Sequence, residues 1–320
     1  MSKPITNLYG FPDIIHKAVQ VHEYSKDGAD FSATELQKPP LLRALQIEYA
    51  DELQEDVVDR IWSLVGDGVH IAISRGATYE LAESRWHATI EVDGVEYDIS
   101  GQSDSLDLKG RELDDWKTAK TYVVKDGLKP DWIAQTNVYH WLLAMNGIVV
   151  ETLKIGCLFK NWSLYEQRNN ASWYPKNEVE MYDVPMWTLT DTEEYIRAKI
   201  HDLVAEVPRN CTNEERWQKV TKYACMKGKN KRALKVEENL EDLEAWMDGR
   251  DFSFDATYRL EVRPGAYIRC TQGPREGRTW CPVAAFCPIM NQDRPKSCPE
   301  CATLIEQDQD NCGEHEGVEI

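Results

Sequence analysis

Residues 86–117 read WHATIEVDGVEYDISGQSDSLDLKGRELDDWK, and they decide the fold. Apolar and polar side chains alternate on either side of Asp93-Gly94, a dipeptide that favours a two-residue hairpin because both positions tolerate positive φ. Lys109-Gly110 repeats the device, so the segment reads as a three- or four-stranded antiparallel meander. Side chains at i and i+2 of a strand share a face. Asp115 and Lys117 therefore point one way, and Asp114 and Trp116 the other. With Asp104 in the preceding strand, a hairpin can gather two carboxylates and one ammonium.

Upstream, Leu41, Leu42, Leu45, Ile47 and Tyr49 begin an apolar pattern at helical spacing that continues through Val57, Val58, Ile61, Trp62, Leu64 and Val65. It predicts one or two helices ending near His70, with Pro39-Pro40 breaking any helix begun at Ser32 or Thr34. Downstream, WIAQTNVYHWLLAMNG at 132–147 predicts a helix following Pro130 and capped at Gly147. IVVETLKIGCLFK at 148–160 predicts a final strand. Beyond it, helices are expected over 191–207 and from an N-capping Thr212, through Trp217 and Val220. The fold class is α/β, a mixed central sheet flanked by helices in αβββαβ order, with a cysteine-clamped helical C-terminal extension. Its expected divisions are an irregular lead-in over 1–30, a core over 31–207, the cysteine-rich region over 208–304 and an acidic tail over 305–320.

Composition narrows the function. The 320 residues carry 37 Lys+Arg against 55 Asp+Glu, a formal charge of −18, with 42% hydrophobic residues. A chain of this length buries roughly three quarters of its unfolded surface, so it needs no disulfide staples. No apolar run reaches the ~18 residues of a membrane span, and the first residues lack the basic start and apolar core of a leader. The expectation is a cytoplasmic protein with no membrane partner. The acidic balance argues against a non-specific nucleic-acid coat but leaves room for a nucleic-acid enzyme, because carboxylates gathered around metal ions inflate the negative count.

Two carboxylates can hold one or two Mg²⁺ ions, which align and polarise a phosphodiester and acidify a water that a lysine orients. The competing reading is a solvated Asp115/Lys117 pair, the commoner arrangement for an isolated Asp-x-Lys triplet. Context favours the first. GQSD at 101–104, then DWK at 115–117, then a helix bearing Gln135 and Tyr139 one turn apart, resembles the PD-(D/E)XK nuclease superfamily in its RecB-like exonuclease branch. GDGVH at 66–70 is similar to that branch's first motif, in which a histidine at a helix end joins the metal site. Ser103 stands where the naming proline would be.

The resemblance implies a Mg²⁺- or Mn²⁺-dependent deoxyribonuclease. Asp104 and Asp115 would ligate metal, His70 would complete the ligand set, Lys117 would serve the attacking water, and Gln135 and Tyr139 would support the site and the DNA strand. Glu83 is left over as a further carboxylate without an assigned role. The setting implied is phage or bacterial recombination, replication or repair, in the host cytoplasm if phage-encoded, with DNA as partner and a helicase or recombinase alongside.

Nine cysteines without a secretory signal point to metal rather than to disulfides. Cys270, Cys281 and Cys287 resemble the C-terminal three-cysteine signature of iron–sulfur exonucleases in the same branch, among them CRISPR-associated ones. The interval between Cys270 and Cys281 is longer here, as if GPREGR had been inserted, and no cysteine precedes the nuclease motifs. The resemblance implies a 4Fe-4S cluster whose fourth ligand is Cys211, with Cys298 and Cys301 as rivals. Thiolates hold Zn²⁺ as well, so ligand type leaves both metals open. Cys157, Cys225 and Cys312 read as free thiols. Lys227, Lys229, Lys231, Arg232 and Lys235 form the densest basic run, a candidate for DNA backbone contact or an ordinary solvated loop.

Overall fold

At Asp93 (φ 52°) and Gly94 (φ 79°) the backbone takes two left-handed steps, the geometry a tight hairpin needs to match the strands' twist. The turn joins β2 (Leu81–Val92) to β3 (Val95–Asp107), paired antiparallel along their length. In this computed structural model the described residues are 5–21, 26–76, 81–248, 258–292, 296–297 and 304–305. The chain divides into two units, one of residues 1–44 and 54–209, the other of 45–53 and 210–320.

The first unit is a six-stranded mixed sheet. The β3 strand pairs antiparallel with β4 (Glu112–Ala119), β4 runs parallel to β5 (Thr152–Phe159), and β6 (Val179–Asp183) closes that edge antiparallel to β5. A short β1 (Phe31–Ser32) lies parallel to β3. The expected αβββαβ order and mixed sheet are present, with two differences. Residues 148–160 do not supply the final strand, since β6 follows. The Lys109-Gly110 turn is longer than two residues: Asp107 Oδ1 accepts from the Lys109 and Gly110 amides at 2.9 Å each, and Arg111 takes the left-handed step at φ 52°.

Helices α2 (Pro40–Glu48) and α3 (Val57–Ser74) occupy the upstream apolar pattern. Pro40 opens α2, as a residue without an N–H can at a first turn. The lead-in expected to be irregular contains α1 (Asp13–Val21), whose Val19 is buried. Buried Asp56 caps α3, accepting from Val58 N while Asp59 returns a bond to its amide, and its other oxygen takes Thr6 Oγ1 and Leu8 N, both at 2.8 Å. Helix α4 (Pro130–Met145) is buried nearly all round, from Ala134 through Leu143, as a helix apolar on every side must be. Its buried Asn137 is satisfied by Ile133 O, Pro185 O and Trp187 N, which fastens the run into α6 (Leu189–Val204). A short α5 (Leu164–Asn169) precedes β6. The core gathers Ile99, Leu106, Leu113, Val138, Trp141, Leu142 and Ile155, each contributing roughly 1.5–3 kcal/mol by burial.

In the second unit, β7 (Lys222–Lys227) pairs with β8 (Lys235–Glu237) and β9 (Tyr258–Arg263), with α7 (Leu240–Asp248) between them in sequence. This corrects the expectation of a helical extension. Among described residues the remaining helix there is short: α8 (Ile268–Thr271) and α9 (Pro288–Gln292). No helix forms from Thr212. Its capping bonds with Glu215 are made in both directions, but Trp217 turns left-handed at φ 54°, so the chain makes a single turn and no helix. The tail over 306–320, with Cys312, lies outside the described residues, as do Cys298 and Cys301.

Candidate metal centre

The strands β3 and β4 part where the acidic residues stand. Their pairing stops at Ser105↔Asp114. One step further, Asp104 Oδ2 accepts from the Trp116 amide at 2.6 Å, so a side chain replaces the ladder carbonyl and the strands open. Asp104 Oδ1 is then free to face His70, whose Nδ1 lies 3.2 Å away. Asp115 is 2% exposed and Lys117 Nζ lies 2.5 Å from its Oδ2. Lys117 Nζ also donates to Gln135 Oε1 at 3.1 Å, and Gln135 Nε2 donates to Tyr139 Oη at 2.7 Å and Thr34 Oγ1 at 3.1 Å.

The structure thus brings together His70, Asp104, Asp115, Lys117, Gln135 and Tyr139 on α3, β3, β4 and α4. It also adds Glu83. The ligand atoms of His70, Glu83 and Asp104 all lie within 4.8 Å of one another, the one such set of metal-ligating groups among the described residues. Asp115 acts electrostatically on His70 and is engaged by Lys117. Counting outward from Val92↔Val95 brings Glu83 opposite Asp104, but the ladder lapses at that step, where Glu83 takes φ 52°. The sequence held this signal in the hairpin register. His70 lies inside α3, which continues to Ser74, and not at the helix end expected of it.

Electrostatics follow from burial and charge. His70 is held above its ordinary pKa by its hydrogen bond to Asp104, against the opposing effect of burial. Burial drives Asp115 up, and Lys117 pulls it back in part. For Lys117 burial lowers the pKa, but Asp115 outweighs it and the ammonium is held above its usual range. A perturbed carboxylate, imidazole and ammonium gathered in this way make the cluster a candidate functional site.

Glycines allow the close packing. A Cβ at Gly101 would lie 2.6 Å from Leu142 Cδ1 and 2.7 Å from Tyr139 Cδ1, and one at Gly156 would lie 2.5 Å from the Trp116 ring. The glycine of GQSD therefore lets α4 lie against the sheet and carry Tyr139 and Gln135 to the site.

In the second unit the thiols of Cys270, Cys281 and Cys287 are buried and that of Cys211 is half-buried. Burial pushes the Cys211 thiol up to about 11, with Glu215, Cys281 and Cys287 adding to it and Arg269 opposing. Cys281 is raised by burial and also feels Cys270 and Cys287. The four thiols are near enough to act on one another, yet no three of their sulfurs lie within 4.8 Å, whereas a tetrahedral ZnS₄ site brings its sulfurs to about 3.8 Å. The basic run forms the β7–β8 hairpin. Lys229, Lys231 and Arg232 are exposed there, Lys227 lies over the Tyr258 ring, and Lys235 is paired with Glu237 at 2.7 Å.

No protein-family model and no curated protein matches the chain. Among solved structures, the crystal structure of SSO0001 is similar to it at 15% identity and a TM-score of 0.44, over 64% of this chain and 90% of that one. No helix among the described residues is long and apolar enough to cross a membrane.

Proposed function

We propose that this chain hydrolyses DNA phosphodiester bonds at a Mg²⁺ or Mn²⁺ centre, working from strand ends as an exonuclease in phage or bacterial recombination, replication or repair. The observation that carries the reading is the convergence of His70, Glu83 and Asp104 beside the buried Asp115–Lys117 pair. A nitrogen ligand among carboxylate oxygens suits Mn²⁺ or Mg²⁺.

His70, Glu83, Asp104 and Asp115 would hold the cation. When bound it supplies charge that polarises the phosphate and acidifies water. The chain's own groups do the rest. Because Asp115 keeps Lys117 protonated, Lys117 is a donor and not the base: it orients the attacking water and offsets charge developing on the phosphoryl oxygens. Gln135 holds the ammonium in place, and Tyr139 and Thr34 hold Gln135. The water oxygen bonds to phosphorus as its proton passes to solvent, the phosphorus–oxygen bond to the leaving sugar oxygen breaks, and that oxygen takes a proton from a solvent water. A helicase or recombinase, which opens or uses strand ends, is the partner class this role implies.

We read Cys211, Cys270, Cys281 and Cys287 as ligands of a 4Fe-4S cluster, with Zn²⁺ as the alternative. Support comes from the nearness of Cys281 to Cys211, Cys270 and Cys287, three of the four thiols being buried. The cluster would tie the segments around Cys211 and Cys270–Cys287 and contribute folding energy.

End-labelled linear DNA and circular DNA, each with Mn²⁺, test the activity. Wild type should shorten linear strands and spare circles, and Asp115→Ala should leave both intact. Linear DNA left intact overturns the proposal, and cut circles replace the exonuclease with an endonuclease.

A further inference from the structure

Helix α3 presents Trp62, Gly66 and His70 at successive four-residue steps, which places them along one side of the helix. Trp62, the largest side chain on the helix, is 54% exposed. Lys160, just past the end of β5, sets its Nζ 3.9 Å from the Trp62 ring centroid. Lys120, just past β4, lies near enough to Lys160 to lower its pKa, after burial. Neither lysine has a carboxylate within 4.0 Å among the described ion pairs, and Lys160 N bonds Ala119 O, so the two strand ends are held side by side.

Gly66 and Gly68 stand in the middle of this 18-residue helix, where each costs about 1 kcal/mol relative to alanine. A Cβ at either would meet nothing within 4 Å among described atoms, so close packing does not demand them. Gly66 leaves a bare floor between Trp62 and His70, while Gly68 lies on the other side of the helix. Along α3 the floor runs about 12 Å, and Lys120 lies about 10 Å beyond Lys117 at strand rise. The aromatic ring and the lysine pair are thus about equally far from the candidate metal centre.

We propose that Trp62, Lys120 and Lys160 form a subsite for single-stranded DNA, in which one unpaired base stacks on Trp62, the two lysines take the flanking phosphates, and the strand crosses the Gly66 floor towards His70. It rests on the nuclease reading and gives that site its substrate class. A base in a duplex has both faces covered by its neighbours, so stacking on Trp62 selects unpaired strand, while the lysines add affinity without reading sequence.

The test is binding to an oligonucleotide carrying 2-aminopurine, with EDTA present so that nothing is cut. Wild type should quench the probe and bind single strand more tightly than duplex. Trp62→Ala should abolish the quench and weaken single-strand binding by about tenfold, with Trp62→Phe restoring most of it. The double change Lys120→Ala/Lys160→Ala should flatten the salt dependence, log K against log[salt], by about 1.4. Gly66→Gln, which fills the floor, should weaken binding without unfolding the chain. An unchanged quench in Trp62→Ala, equal losses on single strand and duplex, or no binding by wild type would each overturn the subsite. Failure of the nuclease reading shows separately, as Mn²⁺-dependent cutting absent from a wild type that still binds through Trp62.

Discussion

Glu83 faces Asp104 across the β2–β3 hairpin at a step where the ladder lapses, and its left-handed backbone keeps its carboxylate within 4.8 Å of the partner's and of His70. Unsatisfactory backbone geometry is retained where a site over-determines it. Glu83→Gly should relieve about 1 kcal/mol of that strain yet weaken Mn²⁺ binding about tenfold or more. Calorimetric Mn²⁺ titration beside thermal unfolding reads both. Unchanged Mn²⁺ affinity would remove Glu83 from the site.

Lys117 neutralises a carboxylate that is 2% exposed. Lys117→Met leaves Asp115 buried and unpaired, which costs about 3–5 kcal/mol, and the cost depends on pH. Without the ammonium the folded-state pKa of Asp115 rises further, so the folded state binds its proton more readily than the unfolded one. Stability is then fullest at low pH and is lost as pH rises through the folded value. Denaturant unfolding at pH 5 and pH 7 should show the gap from wild type widening at pH 7. A gap that is constant or narrows would refute this.

The two kinds of glycine should respond with opposite signs. Gly101→Ala and Gly156→Ala force a methyl into the Tyr139–Leu142 and Trp116 contacts and should each cost about 1–3 kcal/mol. Gly66→Ala meets open space inside a helix and should stabilise by up to about 1 kcal/mol. Urea unfolding of the three variants decides it, and a Gly66→Ala protein weaker than wild type would refute the open floor.

His140 is buried in α4 with Nδ1 unpartnered, and burial holds its pKa below the ordinary value. The unfolded chain takes up the proton first, so His140 contributes stability above about pH 6.5 that falls away as pH drops towards the folded value. A His140→Gln chain should lose less stability than wild type between pH 7 and pH 5. His70, whose pKa is shifted the other way, is present in both chains and cancels in the difference. Parallel pH profiles would exclude the effect.

Anaerobically purified protein should be brown, with thiolate-to-iron absorption near about 400 nm. Cys211→Ala should lose colour and iron and unfold at lower denaturant. A colourless wild type with stoichiometric zinc would replace the cluster by the zinc alternative.

Much of the first unit could be read from its residues because the signals are local. Asp93-Gly94 sets a turn, alternation sets the faces, and the spacing of Gln135 and Tyr139 sets one side of a helix. Glu83 needed one more step, carrying the hairpin register back from Val92↔Val95. The strand β6 escaped because VEMYD is short, charged and exposed on alternate residues, a pattern shared with loops. The second unit misled more. Thr212 and Glu215 make a sound capping box, and nothing local announces that Trp217 will turn left-handed. The strand β9 pairs with β7 across a long interval of sequence, which local periodicity does not register, and β8 is only three residues long.

Asp56 ties the chain's first described residues to the helix that carries His70. The same buried carboxylate that begins α3 also grips Thr6 and Leu8, and α3 carries His70 about 21 Å further on. Traction on the segment around Thr6, by a fused tag or a bound partner, is therefore transmitted along a stiff rod to an imidazole whose placement matters at the ångström scale.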